Sequence, residues 1–381
     1  MRTHLHSKSN TILVLEHLDL EHPGAGGIET IIRAMTSVVA LNRWIVAGVS
    51  SEKMKMGVFI PYQAGRQAVD FIPILTLDKA SRDKRRLPDS LLYLRNLLFR
   101  FRGFQPSIIH AHRIEIGLMS KILWPKTPLV MFIHNEGKQL AGNRKSSSFW
   151  RFFPVVHKAI SLFVFKLAYK IIIFNQSEFL NIQKLRTDAI RGYTWFDPKI
   201  FFPSEYAVRN EERLVLSWIG RLEREKDPLF FIDVLSELAK FNVDFTANFV
   251  GSGTLKNELE KMVETRSLAK NVQFFGSINQ RRLAEVLKAS DVTIQTSHYE
   301  GSPTVVVESL ACGVPVVTTF EGDPDEVVLN RVNGFRLAKR DPLDFALAII
   351  NCSSISRDSI HLTVASRSEI NVLPKLLRDS A

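Results

Sequence analysis

The stretch His298-Tyr-Glu-Gly-Ser-Pro-Thr-Val-Val-Val-Glu-Ser-Leu-Ala-Cys-Gly-Val-Pro-Val-Val-Thr-Thr319 decides the fold. Ser302 is of the type that accepts from backbone amides as an N-cap, and Pro303 suits the first helical position. Gly313 and Pro315 are expected to stop the helix about three turns later. The apolar, β-branched run Val314–Thr319 then reads as a buried strand. The mouth of such a helix offers open N–H groups and the positive end of a dipole, which attract a phosphate. Two carboxylates bracket it: Glu300 in the preceding loop, and Glu308 inside the helix. Carboxylates beside a phosphate site do not serve the phosphate. They are placed to accept hydrogen bonds from hydroxyl groups, as on a ribose or a sugar. Taken singly, a solvated loop acid and an ordinary helix acid is the plainer account, so the weight rests on the combination.

Outward from this stretch, the second half alternates strands and helices. Leu214–Ile219 reads as a strand running into Gly220-Arg-Leu-Glu-Arg-Glu-Lys-Asp-Pro228, with a helix to Lys240. Phe245–Val250 is a strand before Gly251-Ser-Gly253 and a helix from about Thr254. Val272–Phe275, helix Asn279–Ala289 and strand Asp291–Gln295 follow, and Asn333-Gly334 reads as a turn. Strands alternating with helices imply a parallel, doubly wound sheet. Ligands of such sheets bind at the carboxyl ends of the strands. Arg221 and Lys226 lie just past one of those ends, Arg as a bidentate fork for phosphate and Lys as a point charge. Two cations and a helix N-terminus can hold a diphosphate without metal.

The first half has the same alternation. Thr11–Leu18 reads as a strand, followed by the glycine loop at Gly24, Gly26 and Gly27 and a helix to about Leu41. This opening resembles a phosphate-binding loop but lacks the full Gly-x-Gly-x-x-Gly spacing. Further strands are expected at Trp44–Val49, Val69–Leu75, Ser107–His112, Pro128–His134 and Ile171–Phe174. His134 falls at a strand's carboxyl edge, whereas His110 reads as structural. Tyr193–Pro203 reads as the interdomain linker. With 381 residues, more than a single core of roughly 250–300 residues supports, two α/β domains are expected, 1–200 and 201–381, with the last helix able to pack back on the first.

The net charge of +11 is uneven: residues 1–205 carry 29 Lys and Arg against 15 Asp and Glu, residues 206–381 carry 21 against 24. The basic half implies an anionic partner. Lys79–Arg102 and Arg144–Lys170 interleave cations with Leu, Phe and Trp, as for an anionic membrane surface. Cys312 and Cys352 give neither a disulfide framework nor a metal spacing. No apolar run reaches the roughly 18 residues of a membrane span, and no secretory leader is expected.

Gly26-Gly-Ile-Glu29, Gly220-Arg-Leu with Glu225-Lys226, Val250-Gly-Ser-Gly253, Ser290-Asp-Val292 and above all Glu300-Gly-Ser-Pro…Glu308 together resemble the retaining, nucleotide-sugar-dependent glycosyltransferases of family 4, over nearly the whole chain. The resemblance implies a GT-B fold, two Rossmann-like doubly wound domains facing a cleft. It implies that Arg221 and Lys226, with Gly220, Gly251, Gly301 and backbone amides near Thr304 and Val305, bind the donor diphosphate. Glu308 would take the ribose hydroxyls and Glu300 those of the transferred sugar. Gly26 and Gly27 would shape the phosphate and acceptor side, and His134 would lie near the reacting carbon. No cofactor or metal is implied beyond a UDP- or GDP-sugar donor. A glycan or lipid-linked acceptor in cell-surface polysaccharide or lipopolysaccharide synthesis, at the inner membrane face, and no nucleic acid, complete the expectation. Two motifs depart from the family: Thr194-Trp-Phe-Asp197 at the linker, and Glu321-Gly-Asp-Pro-Asp-Glu326, whose acids are expected to add negative charge near the cleft. The competing readings are a phosphorylase or epimerase-like enzyme of the same fold, and a basic membrane- or nucleic-acid-binding protein with a decayed site. The full set Glu300, Glu308, Arg221 and Lys226 argues against decay.

Overall fold

A computed structural model of the chain describes residues 11–20, 27–37, 43–50, 56–64, 67–76, 89–101, 103–134, 154–204 and 213–380. The chain divides into two compact units, Met1–Gly192 with Lys375–Ala381, and Tyr193–Pro374. Each is an α/β unit around its own sheet.

The first unit runs β1 (Thr11–Leu15), α1 (Gly27–Ser37), β2 (Arg43–Ser50), β3 (Ile60–Ala64), β4 (Gln67–Thr76), α2 (Asp89–Arg100), β5 (Ile108–Ala111), α3 (Ile114–Leu123), β6 (Leu129–Ile133), α4 (Pro154–Leu167), β7 (Lys170–Ile173), α5 (Gln176–Gln183) and β8 (Ile190–Arg191). Its sheet order is β3-β4-β2-β1-β5-β6-β7-β8. All pairs are parallel except the edge hairpin β3–β4. Every residue of β1 and β6 is buried, as expected of parallel strands covered on both faces. Strand β3 is an addition to the strands read from sequence, and it pairs with β4, which contains the expected Val69–Leu75. Pro61 in β3 suits an edge, where a missing N–H costs no ladder bond. β1 also ends at Leu15, short of the expected Leu18.

The second unit runs β9 (Leu214–Ile219), α6 (Pro228–Lys240), β10 (Phe245–Val250), α7 (Lys256–Thr265), β11 (Val272–Gly276), α8 (Gln280–Lys288), β12 (Val292–Gln295), α9 (Thr304–Ala311), β13 (Val316–Thr319), β14 (Gly334–Leu337) and α10 (Pro342–Asn351). A 3-10 segment, Ile360–Arg367, leads to α11 (Glu369–Ser380), whose last residues count with the first unit. The sheet, β11-β10-β9-β12-β13-β14, is parallel throughout. Helix starts follow local chemistry: Asp227 caps α6 ahead of Pro228, and Asn279 caps α8 by accepting from Arg282 N–H at 2.9 Å. Trp218, Phe231, Phe249 and Phe345 fill the core.

The Tyr193–Pro203 stretch belongs to this unit. Thr194, Trp195, Phe196 and Phe201 are buried, and Phe196 and Phe201 join its core. The aromatic residues outweigh the Pro punctuation, because burying each removes a large apolar surface from water.

In both sheets the strand order reverses about the first strand. Chain connections leave β1 toward β2 on one side and return to β5 on the other, and they do the same at β9, between β10 and β12. Loops at the carboxyl ends of β1 and β5, and of β9 and β12, therefore diverge and open a crevice.

Gly251, at the end of β10, holds φ +132°, and a Cβ there would lie 1.9 Å from the carbonyl oxygen of Gly220. Gly103, at φ +86°, has open space around it. Gly251→Ala is expected to lower unfolding stability by about 1–3 kcal/mol, more than Gly103→Ala, which meets only the backbone penalty. Urea midpoints of the two variants check this.

Candidate active site

The crevice of the second unit lies at the ends of β9 and β12. After β9 the chain passes Gly220 and Arg221 and reaches Lys226. Arg221 is exposed and pairs with Glu225 at 2.8 Å. After β12 it passes Thr296, Ser297 and Glu300. Glu300 is buried, and its Oε1 accepts from Lys226 Nζ at 2.5 Å, Gln295 Nε2 at 2.5 Å and Ser297 Oγ at 2.6 Å. The residues assigned from sequence to the donor's diphosphate and to its transferred sugar thus form one ion pair. The Lys226 carbonyl accepts from Thr296 Oγ1 at 2.9 Å, which ties the same loops a second time. Gly220 and Gly251 sit where the strand ends meet: Gly220 N–H donates to Val250 O at 3.0 Å and Gly251 N–H to Gly276 O at 2.8 Å.

Helix α9 opens at this crevice. Gly301 is buried in the approach, and Thr304 and Val305 begin the helix. As its first residues they have no intrahelical acceptor for their N–H groups. Ser302 is not the N-cap. Pro303 holds that position without a side-chain cap, while Ser302 Oγ donates to Asp325 Oδ2 at 3.0 Å and pairs with Thr194 Oγ1 at 2.9 Å. An anchored Ser302 leaves the helix mouth uncapped. The helix ends at Ala311, two turns long and not three, because Gly313 turns at φ +73° beneath it.

Glu308 is buried in α9, and burial pushes its pKa up to about 7. No neighbouring cation or hydrogen bond among the described residues opposes that shift. The Glu321–Glu326 loop adds less charge than expected. Asp323 is buried and accepts from the N–H groups of Val327 and Val328, and Asp325 pairs with Arg367 at 3.1 Å. Both acids are consumed in folding the loop, and Glu321 and Glu326 remain exposed. Among the described residues no group of three or more His, Cys, Asp or Glu is placed to hold a metal ion.

In the first unit, Gly27 opens α1 after β1, and Gly26 lies outside the described residues. His134, after β6, stacks between His112 and Phe174, and His112 Nδ1 and His134 Nε2 are 2.9 Å apart. Burial holds both imidazoles well below their ordinary pKa, so both are neutral and one donates to the other. Glu16, at the end of β1, is missed by sequence reading. Burial pushes its pKa up, but Arg113, 2.9 Å away, and His17 together bring it below the usual value. His110 is structural: its Nε2 bonds the Ser380 carbonyl at 3.0 Å, and burial lowers its pKa to about 4.

Residues 202–359 match the family described as Glycosyl transferases group 1. That match spans the second unit's sheet and the loops of the crevice. A UDP-Gal:alpha-D-GlcNAc-diphosphoundecaprenol alpha-1,3-galactosyltransferase of Escherichia coli is 24% identical over 259 residues, 64% of this chain and 65% of that protein. A glycogen synthase of Mycobacterium tuberculosis is 31% identical over 35% of this chain and 32% of its own length. The chain thus matches less than two thirds of these relatives. Among solved structures, sucrose-phosphate synthase from Thermosynechococcus elongatus superimposes with a TM-score of 0.77 at 15% identity, covering 97% of this chain and 98% of that one. The Anabaena protein HepE, in complex with UDP and glucose, gives 0.71 at 17% identity over 96% and 98%. At these identities the likeness is one of fold, and the fold is GT-B.

Within the matched segment, sequence reading misses a further tie between the two loops. Arg340, after β14, donates to Asp227 Oδ2 at 2.5 Å and to the Thr296 carbonyl at 2.6 Å, and lies over the Phe230 ring at 4.6 Å. His298 Nε2 also reaches Asp227 Oδ2, at 3.1 Å. Asp227 adopts φ +47° next to Lys226. The only sequence signal was the Asp-Pro helix start at Asp227.

Two outcomes follow from this geometry. Arg340→Ala is expected to lower the stability of the chain by about 1.5–3 kcal/mol, with coupling to Asp227→Asn in a double-mutant cycle read by urea unfolding. For Glu308, a folded pKa of about 7 lies above the ordinary glutamate value of 4.5. The folded chain then binds the extra proton, so ionised Glu308 destabilises it increasingly from pH 4.5 to 7 and fully above. Glu308→Gln should therefore stabilise the unliganded chain at pH 8 by up to about 3 kcal/mol, with no gain near pH 4.5. Thermal unfolding across that range tests it.

Proposed function

We propose that the chain transfers a sugar from a UDP- or GDP-sugar, with retention and without a metal ion, to a glycan or lipid-linked acceptor in cell-surface polysaccharide synthesis. One observation carries this reading: the uncapped mouth of α9 and the Lys226–Glu300 pair lie together in the loops after β9 and β12, with Arg221 in the first of those loops and Glu308 buried in α9. The E. coli relative uses UDP-Gal and a diphosphoundecaprenol-linked acceptor by its name, and HepE has been solved with UDP and glucose. Both support a donor and acceptor of these classes.

In this reading the diphosphate lies at the mouth of α9, against the amides of Thr304 and Val305, with Arg221 and Lys226 neutralising its charge. Glu308, with no competing donor, takes the ribose hydroxyls. Glu300, oriented by Gln295, Ser297 and Lys226, takes hydroxyls of the transferred sugar. Lys226 then links the sugar-binding carboxylate to the leaving group. As the bond from C1 to the diphosphate oxygen breaks, its electron pair goes to the phosphate, where Lys226 and the helix dipole stabilise it. The acceptor oxygen bonds to C1 on the same face, and its proton passes to the departing diphosphate. The acceptor is assigned to the first unit, near Gly26, Gly27 and neutral His134.

Arg221→Ala and Lys226→Ala are each expected to reduce donor use by roughly 10- to 100-fold, the loss of one charge-assisted phosphate bond. UDP or GDP should raise the unfolding temperature, and activity should survive EDTA. A response to salt and polyanions alone would support the binding-protein alternative. Glu308 supplies a separate signature. Hydroxyl donors favour its ionised form, so nucleotide binding near pH 7 should release a proton. Calorimetry in buffers of differing ionisation heat reads this release, and Glu308→Gln should abolish it.

A further inference from the structure

Helix α4 buries only a narrow side. His157 and Val164 face inward, and Ala168 follows just beyond the helix. Val155, Val156, Ala159, Leu162, Phe163 and Leu167 are exposed, Val155 by 80% and Phe163 by 53%. A surface helix normally places charged and polar residues outward. Here the outward residues are apolar, joined only by Lys158 and Lys166, and no Asp or Glu occurs from Pro154 to Lys170. The pattern continues next door. Helix α3 packs against both α4 and α2. It exposes Ile122 by 62%, and α2 exposes Phe99 by 71% beside Arg95 and Arg100. The acids of these three helices are Asp89 and Glu115, and Glu115 is largely buried.

We propose that this face of the first unit, centred on α4, docks on an anionic lipid bilayer. A protein partner large enough to cover it would need acidic side chains set among apolar ones. A bilayer with anionic headgroups offers both in a fixed order, apolar below and negative above. Helix α4 suits that order. Val155, Ala159, Leu162 and Phe163 recur at three- and four-residue spacing and enter the acyl boundary. The lysines lay their alkyl stems along the apolar surface and raise their ammonium groups to the phosphates. The helix is 14 residues long, and no helix of the described residues is long and apolar enough to cross a membrane. It therefore lies in the interface. The basic runs at 79–86 and 144–151, singled out in the sequence, lie outside the described residues, so the proposal rests on α4 and its two neighbours.

The test is flotation of the full chain with vesicles of phosphatidylcholine alone or with phosphatidylglycerol added, at low and high salt. The chain should float with the anionic vesicles and less so as salt rises. Phe163→Ser should weaken binding about tenfold or more at both salts, since it removes inserted apolar area. Lys158→Ser and Lys166→Ser should weaken it about fivefold each, at low salt only. Every substituted position is exposed, so folding is not at stake, and unfolding temperatures verify this. Phe163→Trp should be quenched by brominated lipid. Equal flotation with both vesicle types, or a Phe163→Ser variant that binds like the parent, would overturn the proposal. So would a concentration-dependent dimer that Phe163→Ser dissolves without any vesicle binding, which would assign the face to a second copy of the chain.

Discussion

Glu300 Oε1 accepts from Lys226, Gln295 and Ser297 together, and this one oxygen joins the loop after β9 to the loop after β12. Without it the two loops would diverge, because the strand order reverses between them and connections leave in opposite directions. Arg340 performs the same joining from the third side, through Asp227 and the Thr296 carbonyl. The crevice that topology opens is thus given a defined floor by charge. Such a pairing is useful for catalysis because its dipoles are set before substrate arrives and need no reorganisation.

The two buried carboxylates of α9 and its approach loop differ in their surroundings. Glu300 is surrounded by donors, which compensate for burial. Glu308 is buried with burial alone acting on its pKa, which is raised to about 7. A carboxylate in that state is held at a cost to folding, and in the proposed function hydroxyl donors of the ligand offset it. Stability given up in the empty state becomes affinity when the ligand supplies the missing bonds.

The first unit follows the same plan in another chemistry. Its switch point holds ionised Glu16 against Arg113, and nearby His112 and His134 are neutral and stacked between aromatic rings. Polar groups cluster at strand ends because parallel strands here are buried on both faces, and the ends are the first places where the backbone turns toward solvent. Helices α2 to α4 cover one flank of that sheet yet leave their own outer surface apolar and basic.

How far the chain could be read without its structure depended on how local each determinant is. Leu214–Ile219, Pro228–Lys240 and Phe245–Val250 were legible to the residue, because apolar runs bounded by Gly, Asp and Pro set their limits within a few positions. The two alternating α/β units and the bracketed helix mouth were legible for the same reason, whereas GT-B was what the family resemblance implied. Edge strand β3 and strand β14 were not, since short strands carry no periodicity and exist only by pairing with a neighbour. Ser302 had the chemistry of an N-cap and lost that place to Asp325 and Thr194, which lie far away in sequence. The pairing of Lys226 with Glu300, the Arg340–Asp227 tie, the proximity of His112 to His134 and the neutrality favoured at Glu308 belong to tertiary structure alone. Each depends on distance or on exclusion of water, and the chain creates both only when its strands come together.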